Sequence, residues 1–292
     1  MSSKRPRAQG DHDARKRKKY RSDGTPIWGR RVIEGPGVWV SCIKGKERQA
    51  ASEVCELFKN LAEEMWPETK ATGTTDSDNS ADEGEELSLE QQIAQEVSAM
   101  KRPPKQDLFK NCPTDTACLL FISCQPPVDP VKLVEQHLKN VDETGVTHTK
   151  YCMRLAPVSG SSVANLVEIE ALCRSTFAAA FAEKPFKVLQ SPPSAKLPLT
   201  QCQYKIELKL RNHTVLARDT LIATIAQCVP QDAGHSVDLG NPDLVILVEV
   251  FKSICGVSVV REYQKYKKFN VAEIASARQI ANESSSSTKR ID

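Results

Sequence analysis

Apolar residues first gather at Val38–Ile43, where "GVWVSCI" runs without a charge; such a run predicts a buried strand. After the polar "KGKER", Ala50, Val54, Leu57, Phe58 and Leu61 recur at helical spacing, the stripe of an amphipathic helix. Pro67 disfavours helical backbone at Trp66, so this helix should stop there. "LSLEQQIAQEVSAM" (Leu87–Met100) reads as a short helix, and "ACLLFISC" (Ala117–Cys124) as a second buried strand. Pro130 opens the next helix with Asp129 as its cap, and Val131, Val134 and Leu138 line its inner face. Alternating strands and helices predict an α/β or ferredoxin-like unit.

"KYCMRLAPVSG" (Lys150–Gly160) is a third strand, close to a boundary at residues 145–155. Leu166, Ile169, Leu172, Cys173, Phe177, Ala180 and Phe181 mark a long helix, and "SPPSAKLPL" (Ser191–Leu199) a loop. In "YKIELKLRNHTVLARD", Tyr204, Ile206, Leu208 and Leu210 alternate with Lys205, Glu207, Lys209 and Arg211. That is a strand with one apolar and one charged face. A helix follows from about Arg218 to Val229, striped by Leu221, Ile222, Ile225, Ala226 and Val229. "DLVILVEVF" and "GVSVVREY" are two further strands joined through "KSIC", and His137 is expected exposed or half-buried on its helix.

Charge divides the 292-residue chain where hydrophobicity does not. Lys4 to Arg31 holds eleven Lys/Arg and three Asp, and Asp76 to Glu96 holds eight acids. The net charge of +3 conceals both. The first segment is poor in large apolar residues and reads as a disordered arm. Its "RKRKKYR" (Arg15–Arg21) fits a nuclear or nucleolar import signal, a nonspecific RNA-binding arm, or both, with a solvated charge run of neither role as the alternative. The small, acidic "ETKATGTTDSDNSADEGEE" reads as a flexible insertion. The N-terminus lacks an apolar signal core, and no apolar run approaches the ~20 residues that cross a bilayer.

Ten cysteines lie mostly in apolar runs and none has CxxC spacing, which suggests reduced, buried thiols rather than a zinc site or disulfides. No GxGxxG follows a strand and there is no GxxxxGK[ST] or GxSxG. "PVSGSSV" falls short of a pyrophosphate loop, and "GNPDLV" of an amino-methyltransferase loop. The five histidines show no metal spacing. No catalytic residue, metal or cofactor is expected, although a spatially assembled site from His213, Asp219 and Cys255 stands as the rival.

The remaining chemistry is cationic. Lys205, Lys209 and Arg211 share one strand face, Asn212 and His213 favour a turn, and the next helix brings its N-terminus and Arg218 close by. Such a corner holds phosphate. Arg154 and Arg261 flank other strands and would extend it. The bland alternative is a solvated strand face, with Asp219 stabilising the first helical turn. Asn241-Pro242-Asp243 is a tight turn that starts a mostly buried strand.

"YKIELKLRNHTVLARDTLIATIA" followed by "HSVDLGNPDLVILVEVFKSICGVSVVREY" resembles the THUMP domain, an RNA-binding module of tRNA-modifying proteins. Lys209, Arg211, Asn212, the Arg218-Asp219 helix start, Val237-Asp238-Leu239, Asn241-Pro242-Asp243, the strand reaching Glu249, and Gly256–Val260 carry the likeness. "MRLAPVSG" looks like the usual entry to that domain. The resemblance, over about residues 36–270, implies an α/β (α+β) protein: an N-terminal ferredoxin-like domain, then a THUMP domain with a mixed sheet and flanking helices. The expected divisions are a basic arm at 1–35, a first domain at 36–145 with the acidic insertion at about 67–87, a THUMP domain at 146–262, and a mostly disordered tail at 263–292. The chain ends about 30 residues after Glu262, which leaves no room for the catalytic domain of most THUMP proteins.

That shortness, the basic arm and the "SICGVSVVREYQKYKKFN" ending look like the stand-alone eukaryotic THUMP adaptor. The resemblance implies a nuclear or nucleolar protein that does no chemistry itself. It would present leucine and serine tRNAs to an RNA cytidine acetyltransferase, whose acetyl-CoA-dependent product is N4-acetylcytidine in the D-arm. RNA contacts are expected at Lys209, Arg211, Asn212, His213 and Arg218, with Lys205 and Arg154 as outlying members. The acidic insertion would contact the acetyltransferase or restrain the basic arm. A general RNA chaperone in ribosome assembly, or an enzyme with a non-obvious site, are the alternatives.

Overall fold

A computed structural model describes residues 33–67, 107–182, 202–231 and 234–288. The basic arm, the acidic insertion, the helix expected at Leu87–Met100 and the loop Ser191–Leu199 lie outside these residues, apart from the first two segments' edges.

The first unit runs β1 (Gly37–Cys42), α1 (Glu47–Met65), β2 (Phe109–Cys112), β3 (Leu119–Cys124), α2 (Pro130–Thr144) and β4 (Cys152–Val158). Its sheet has the order β2-β3-β1-β4 with every neighbouring pair antiparallel, a split βαβ layout. The helices form for the reasons the pattern gives. Ala50, Val54, Leu57, Phe58 and Leu61 of α1 are buried. The Asp129 carboxylate accepts from the Val131 and Lys132 amides at 2.9 and 3.4 Å, and Gly145 ends α2 in the left-handed region at φ 74°, where a side chain would be strained.

The second unit runs β5 (Gly160–Val163), α3 (Leu166–Ala182), β6 (Gln203–Arg211), α4 (Arg218–Gln227), β7 (Ser236–Val237), β8 (Leu244–Phe251) and β9 (Ile254–Val260). The sheet order is β5-β9-β8-β6-β7. It is mixed: β6 runs parallel to β7 and β8, while β9 is antiparallel to β5 and β8. Ile169, Cys173, Phe177, Leu221 and Ile225 pack from the helices onto Leu208, Ile246, Val248 and Val250. The opposite face of β8 is apolar too, and Val245 and Leu247 join the first unit's core.

The units are therefore fastened face to sheet. Trp39 meets Phe121 and Phe251 edge-on at 4.8 and 5.3 Å between ring centroids. The Ser258 hydroxyl donates to the Pro157 carbonyl at 2.7 Å. Only Ser159 separates β4 from β5. This corrects the expected division after residue 145. β4 pairs with β1 and belongs to the first sheet, because Leu155 is needed to complete the face that Val40 begins.

The expected tail is also corrected. Tyr263, Tyr266, Phe269, Val271, Ile274 and Ala275 are buried in the first core, and α5 spans Val271–Thr288. The charge of "QKYKK" and the Ala/Ser content of residues 272–288 disguised one apolar stripe that returns to cover the first sheet. His137, expected at least half-exposed, is 1% exposed on the inner face of α2.

Candidate nucleic-acid interface

Along β6, the apolar face closes on α3 and α4, so Lys205, Glu207, Lys209 and Arg211 face the side of the sheet that meets the first unit. All four are half-buried, at the border of that contact. Burial selects partners for charges. Lys209 Nζ donates to Glu249 Oε1 at 2.8 Å, directly across the parallel pairing of β6 and β8. Lys205 Nζ stands 3.6 Å from Glu207 Oε2. The cationic face anticipated from sequence is thus largely neutralised within the fold.

At its far end the strand becomes a corner. Asn212 adopts φ 52°, a left-handed conformation that asparagine tolerates better than most residues. His213 Nδ1 lies 2.7 Å from the Lys252 carbonyl, and Nε2 lies 3.1 Å from the Leu216 amide. The neutral ring with its proton on Nδ1 satisfies both, so His213 braces the turn. Arg218 Nη1 donates to the Leu208 carbonyl at 2.8 Å, bending the first residue of α4 back over the end of β6. Ala217 caps α4 without a side-chain hydrogen bond. Of this group, the Arg211 side chain and the exposed Asn212 amide are those not tied to a neighbour by an ion pair or side-chain hydrogen bond.

The second stretch of the resemblance lies elsewhere. The Asp238 carboxylate accepts from the Gly240 and Asn241 amides at 2.7 and 3.3 Å. Asp243 Oδ2 accepts from the Gln203 amide at 3.0 Å, and the Asp243 amide donates to the Gln203 carbonyl at 2.8 Å. Asp243 therefore staples the start of β8 to the start of β6. Because β6 and β8 are parallel, this turn is at the opposite end of the pair from Arg211, about 23 Å away along the strand. Arg261 belongs near that end, where its amide meets Glu135 Oε1 at 3.3 Å. Burial pushes the Glu135 carboxyl up.

Arg154 comes from β4, and its backbone bridges to Asn270. It approaches the charged face through Tyr263. The Tyr263 hydroxyl is pushed up to about 12, first by burial and then by Glu207; Arg154 opposes the shift and Glu249 adds to it. Those three charges therefore act on one ring that is 2% exposed. Sequence reading missed Tyr263 and the role of Glu249. The lone acid in an apolar strand was a usable signal, since a buried carboxylate demands a cation on the neighbouring strand.

The members of the rival catalytic grouping are not poised as nucleophile and base. Cys255 is fully buried among apolar residues and its thiol is pushed up to about 12 by desolvation, whereas a nucleophilic cysteine needs a lowered value. Both ring nitrogens of His213 are engaged, and Asp219 is exposed on the first turn of α4. Eight of the ten cysteines are buried. Among the described residues, no three His, Cys, Asp or Glu side chains gather as metal ligands, and no helix is long and apolar enough to cross a membrane.

The THUMP domain family matches residues 163–260, which is the second sheet from the end of β5 with its two helices. Relatives extend the likeness over most of the chain. The Schizosaccharomyces pombe protein C25H2.10c is 33% identical over 240 residues, covering 82% of this chain and 75% of its own. The Saccharomyces cerevisiae protein named tRNA acetyltransferase TAN1 is 28% identical, over 94% of this chain and 95% of its own. Human THUMP domain-containing protein 1 is 27% identical, over 82% of this chain and 63% of its own. An RNA-binding module was expected from a strand ending on Arg211-Asn212 and a turn at Asn241-Pro242-Asp243, and the chain belongs to the THUMP-domain family.

Proposed function

We propose that this protein is a tRNA-binding adaptor that presents tRNA, leucine and serine tRNAs among them, to an RNA cytidine acetyltransferase that forms N4-acetylcytidine in the D-arm. The observation that carries the reading is the near end-to-end match to a relative named as a tRNA acetyltransferase, in a chain whose site is a cationic corner rather than an assembled nucleophile and base. Holding a tRNA at one point raises the effective concentration of a distant cytidine at another protein's active site. Arg211, Asn212 and the exposed flank of Arg218 would meet phosphate. Lys209, Lys205 and His213 would shape and polarise that corner, and Arg154 would reach it from the first unit. The basic run Arg15–Arg21 supports a nuclear, nucleolar location, and acetyl-CoA would belong to the partner.

The name of that relative also favours a second reading, in which the chain itself transfers the acetyl group. One experiment separates the two. Purified protein, tRNA and acetyl-CoA should yield no acetylcytidine until the acetyltransferase is added, and should then raise the yield above that of the enzyme alone. Product from the chain alone would overturn the adaptor. Unchanged acetylcytidine in tRNA from a deletion strain would favour the chaperone alternative.

A further inference from the structure

We propose that Cys118, Cys42 and Cys152 form a redox modification site, in which a hydroperoxide meeting Cys118 drives a disulfide between Cys42 and Cys152. The site does not depend on RNA binding. All ten cysteines are free thiols in the structure, and these three lie in a row at one end of the first sheet, whose order sets β1 between β3 and β4.

Cys42 ends β1 and Cys152 begins β4, and the two are register partners in antiparallel pairing. The Ile43 amide donates to the Tyr151 carbonyl at 3.1 Å, while the Cys42 amide turns to the other side and donates to the Cys118 carbonyl at 3.1 Å. Cys42 and Cys152 are thus a non-hydrogen-bonded pair, the kind whose side chains approach most closely, with Cα atoms about 4.5 Å apart. A disulfide takes Cα separations of about 4.4–6.8 Å. Both side chains are buried in the first core, so they share one face of the sheet. Cys118 stands immediately before β3 and continues the register that sets Leu119 against Ser41, which brings it beside Cys42 from the opposite side. Its amide donates to Glu47 Oε1 at 3.0 Å. It is the half-exposed member of the row, whereas Cys42 and Cys152 are 5% and 4% exposed.

Exposure decides the order of steps. Burial first, then Glu47 and Cys118, push the Cys42 thiol up to about 11, and burial, then Cys42 and Glu53, push the Cys152 thiol up to about 12. Neither is a thiolate at neutral pH, so neither meets an oxidant first. The Cys118 thiolate attacks one oxygen of the hydroperoxide. An S–O bond forms, the O–O bond breaks, and the other oxygen takes a proton and leaves as alcohol, or as water from hydrogen peroxide. The Cys42 sulfur then attacks the sulfenic sulfur of Cys118. An S–S bond forms, and the hydroxyl leaves as water with the Cys42 proton. Cys152 attacks the Cys42 sulfur from the far side, in line with the departing Cys118 sulfur, which regains a thiol with the Cys152 proton. Three neighbouring strands supply that line. Two thiols and one hydroperoxide become one disulfide, one alcohol and one water. The bond joins β1 to β4 and closes α1, β2, β3 and α2 into one loop, which restricts the unfolded chain.

The test exposes the full chain to hydrogen peroxide, caps the remaining thiols with iodoacetamide in denaturant, and maps the digested peptides by mass spectrometry. The Cys42 and Cys152 peptides should appear linked, lighter together by two hydrogen atoms, and should separate again with dithiothreitol. The oxidised chain should unfold at a higher urea midpoint than the reduced one. C118S should slow the linkage about tenfold or more, and C152A should stop at a bond between Cys42 and Cys118. Wild type alone yields the linkage map, so a variant that fails to fold leaves the site testable. Cys42 and Cys152 both capped after treatment would overturn the site, whether Cys118 has gone on to sulfinic acid or has not reacted. Links confined to other cysteines would overturn it too. C118S linking as fast as wild type would remove Cys118 as the point of entry.

Discussion

Lys209 and Glu249 close an ion pair at 2.8 Å across the parallel seam of β6 and β8, with the carboxylate side chain 7% exposed. The cation most central to the charged strand is therefore matched inside the fold before any RNA arrives. Glu249→Gln should unmask it. We expect tighter tRNA binding and a salt slope steeper by up to about 0.9, measured by titration at several salt concentrations. Lys209→Ala should do something different. It leaves a buried carboxylate unpaired and should cost on the order of 3 kcal/mol in urea unfolding. If both variants leave binding and stability unchanged, the pair has neither role.

Arg211 is the complementary case. It ends β6 beside Asn212, half-exposed and without an ion-pair partner among the described residues. Arg211→Ala should lower the tRNA salt slope by about 0.7–0.9, one phosphate's worth, while changing stability by less than about 0.5 kcal/mol. A slope identical to wild type would remove Arg211 from the interface. A large loss of stability would mean that the corner is a structural element first.

Much of this was legible from pattern alone. The buried face of α1, the Asp129–Pro130 start of α2 and the alternation of β6 follow from local spacing, and the structure keeps them. What failed was non-local. Nothing within "YKIELKLR" states that Glu249 will lie opposite Lys209, because that depends on the register of two strands separated by a helix, the short β7 and a turn. The same cause misplaced the boundary near residue 145: β4 reads alike whether it pairs with β1 or with the second sheet. Val271, Ile274 and Ala275 make too short a stripe to outweigh the Ser-rich sequence after them, yet they have a core waiting. Asn241-Pro242-Asp243 is legible as a turn, but only parallel pairing reveals that it sits at the far end from Arg211.

Gly256 tests how firmly the two units are joined. A Cβ there would lie 3.0 and 3.1 Å from the Val158 methyls and 3.5 Å from Trp39 Nε1. These side chains are themselves packed, so they have little room to yield. Gly256→Ala should destabilise by about 1–3 kcal/mol and lower the melting temperature of the whole chain in one transition. Gly240→Ala is the control, since its Cβ would meet only the Asp238 carboxylate at 3.4 Å. Two separate transitions in the Gly256 variant would mean that the units fold independently and that the Trp39–Phe251 contact is weak.

His137 makes a pH prediction with a definite sign. It lies on the inner face of α2 with Nε2 buried and unpartnered, and its pKa is pushed down from 6.5 to about 4, chiefly by burial and secondarily by His148. Between those values the unfolded chain binds a proton that the folded chain refuses. Stability should therefore fall as pH drops from about 6.5 towards 4, by on the order of 3 kcal/mol from this residue. Glu135 acts in the opposite sense, because burial raises its carboxyl and the folded state takes up the proton more readily. Comparison with His137→Leu cancels that contribution, since Glu135 is present in both proteins. Near pH 7.5 the leucine variant should match or exceed wild type, a buried polar atom without a partner having been removed. At pH 4.5 it should be clearly the more stable of the two. Parallel curves of urea midpoint against pH for the two proteins would show that His137 titrates normally, and hence that the inner face of α2 opens readily to water.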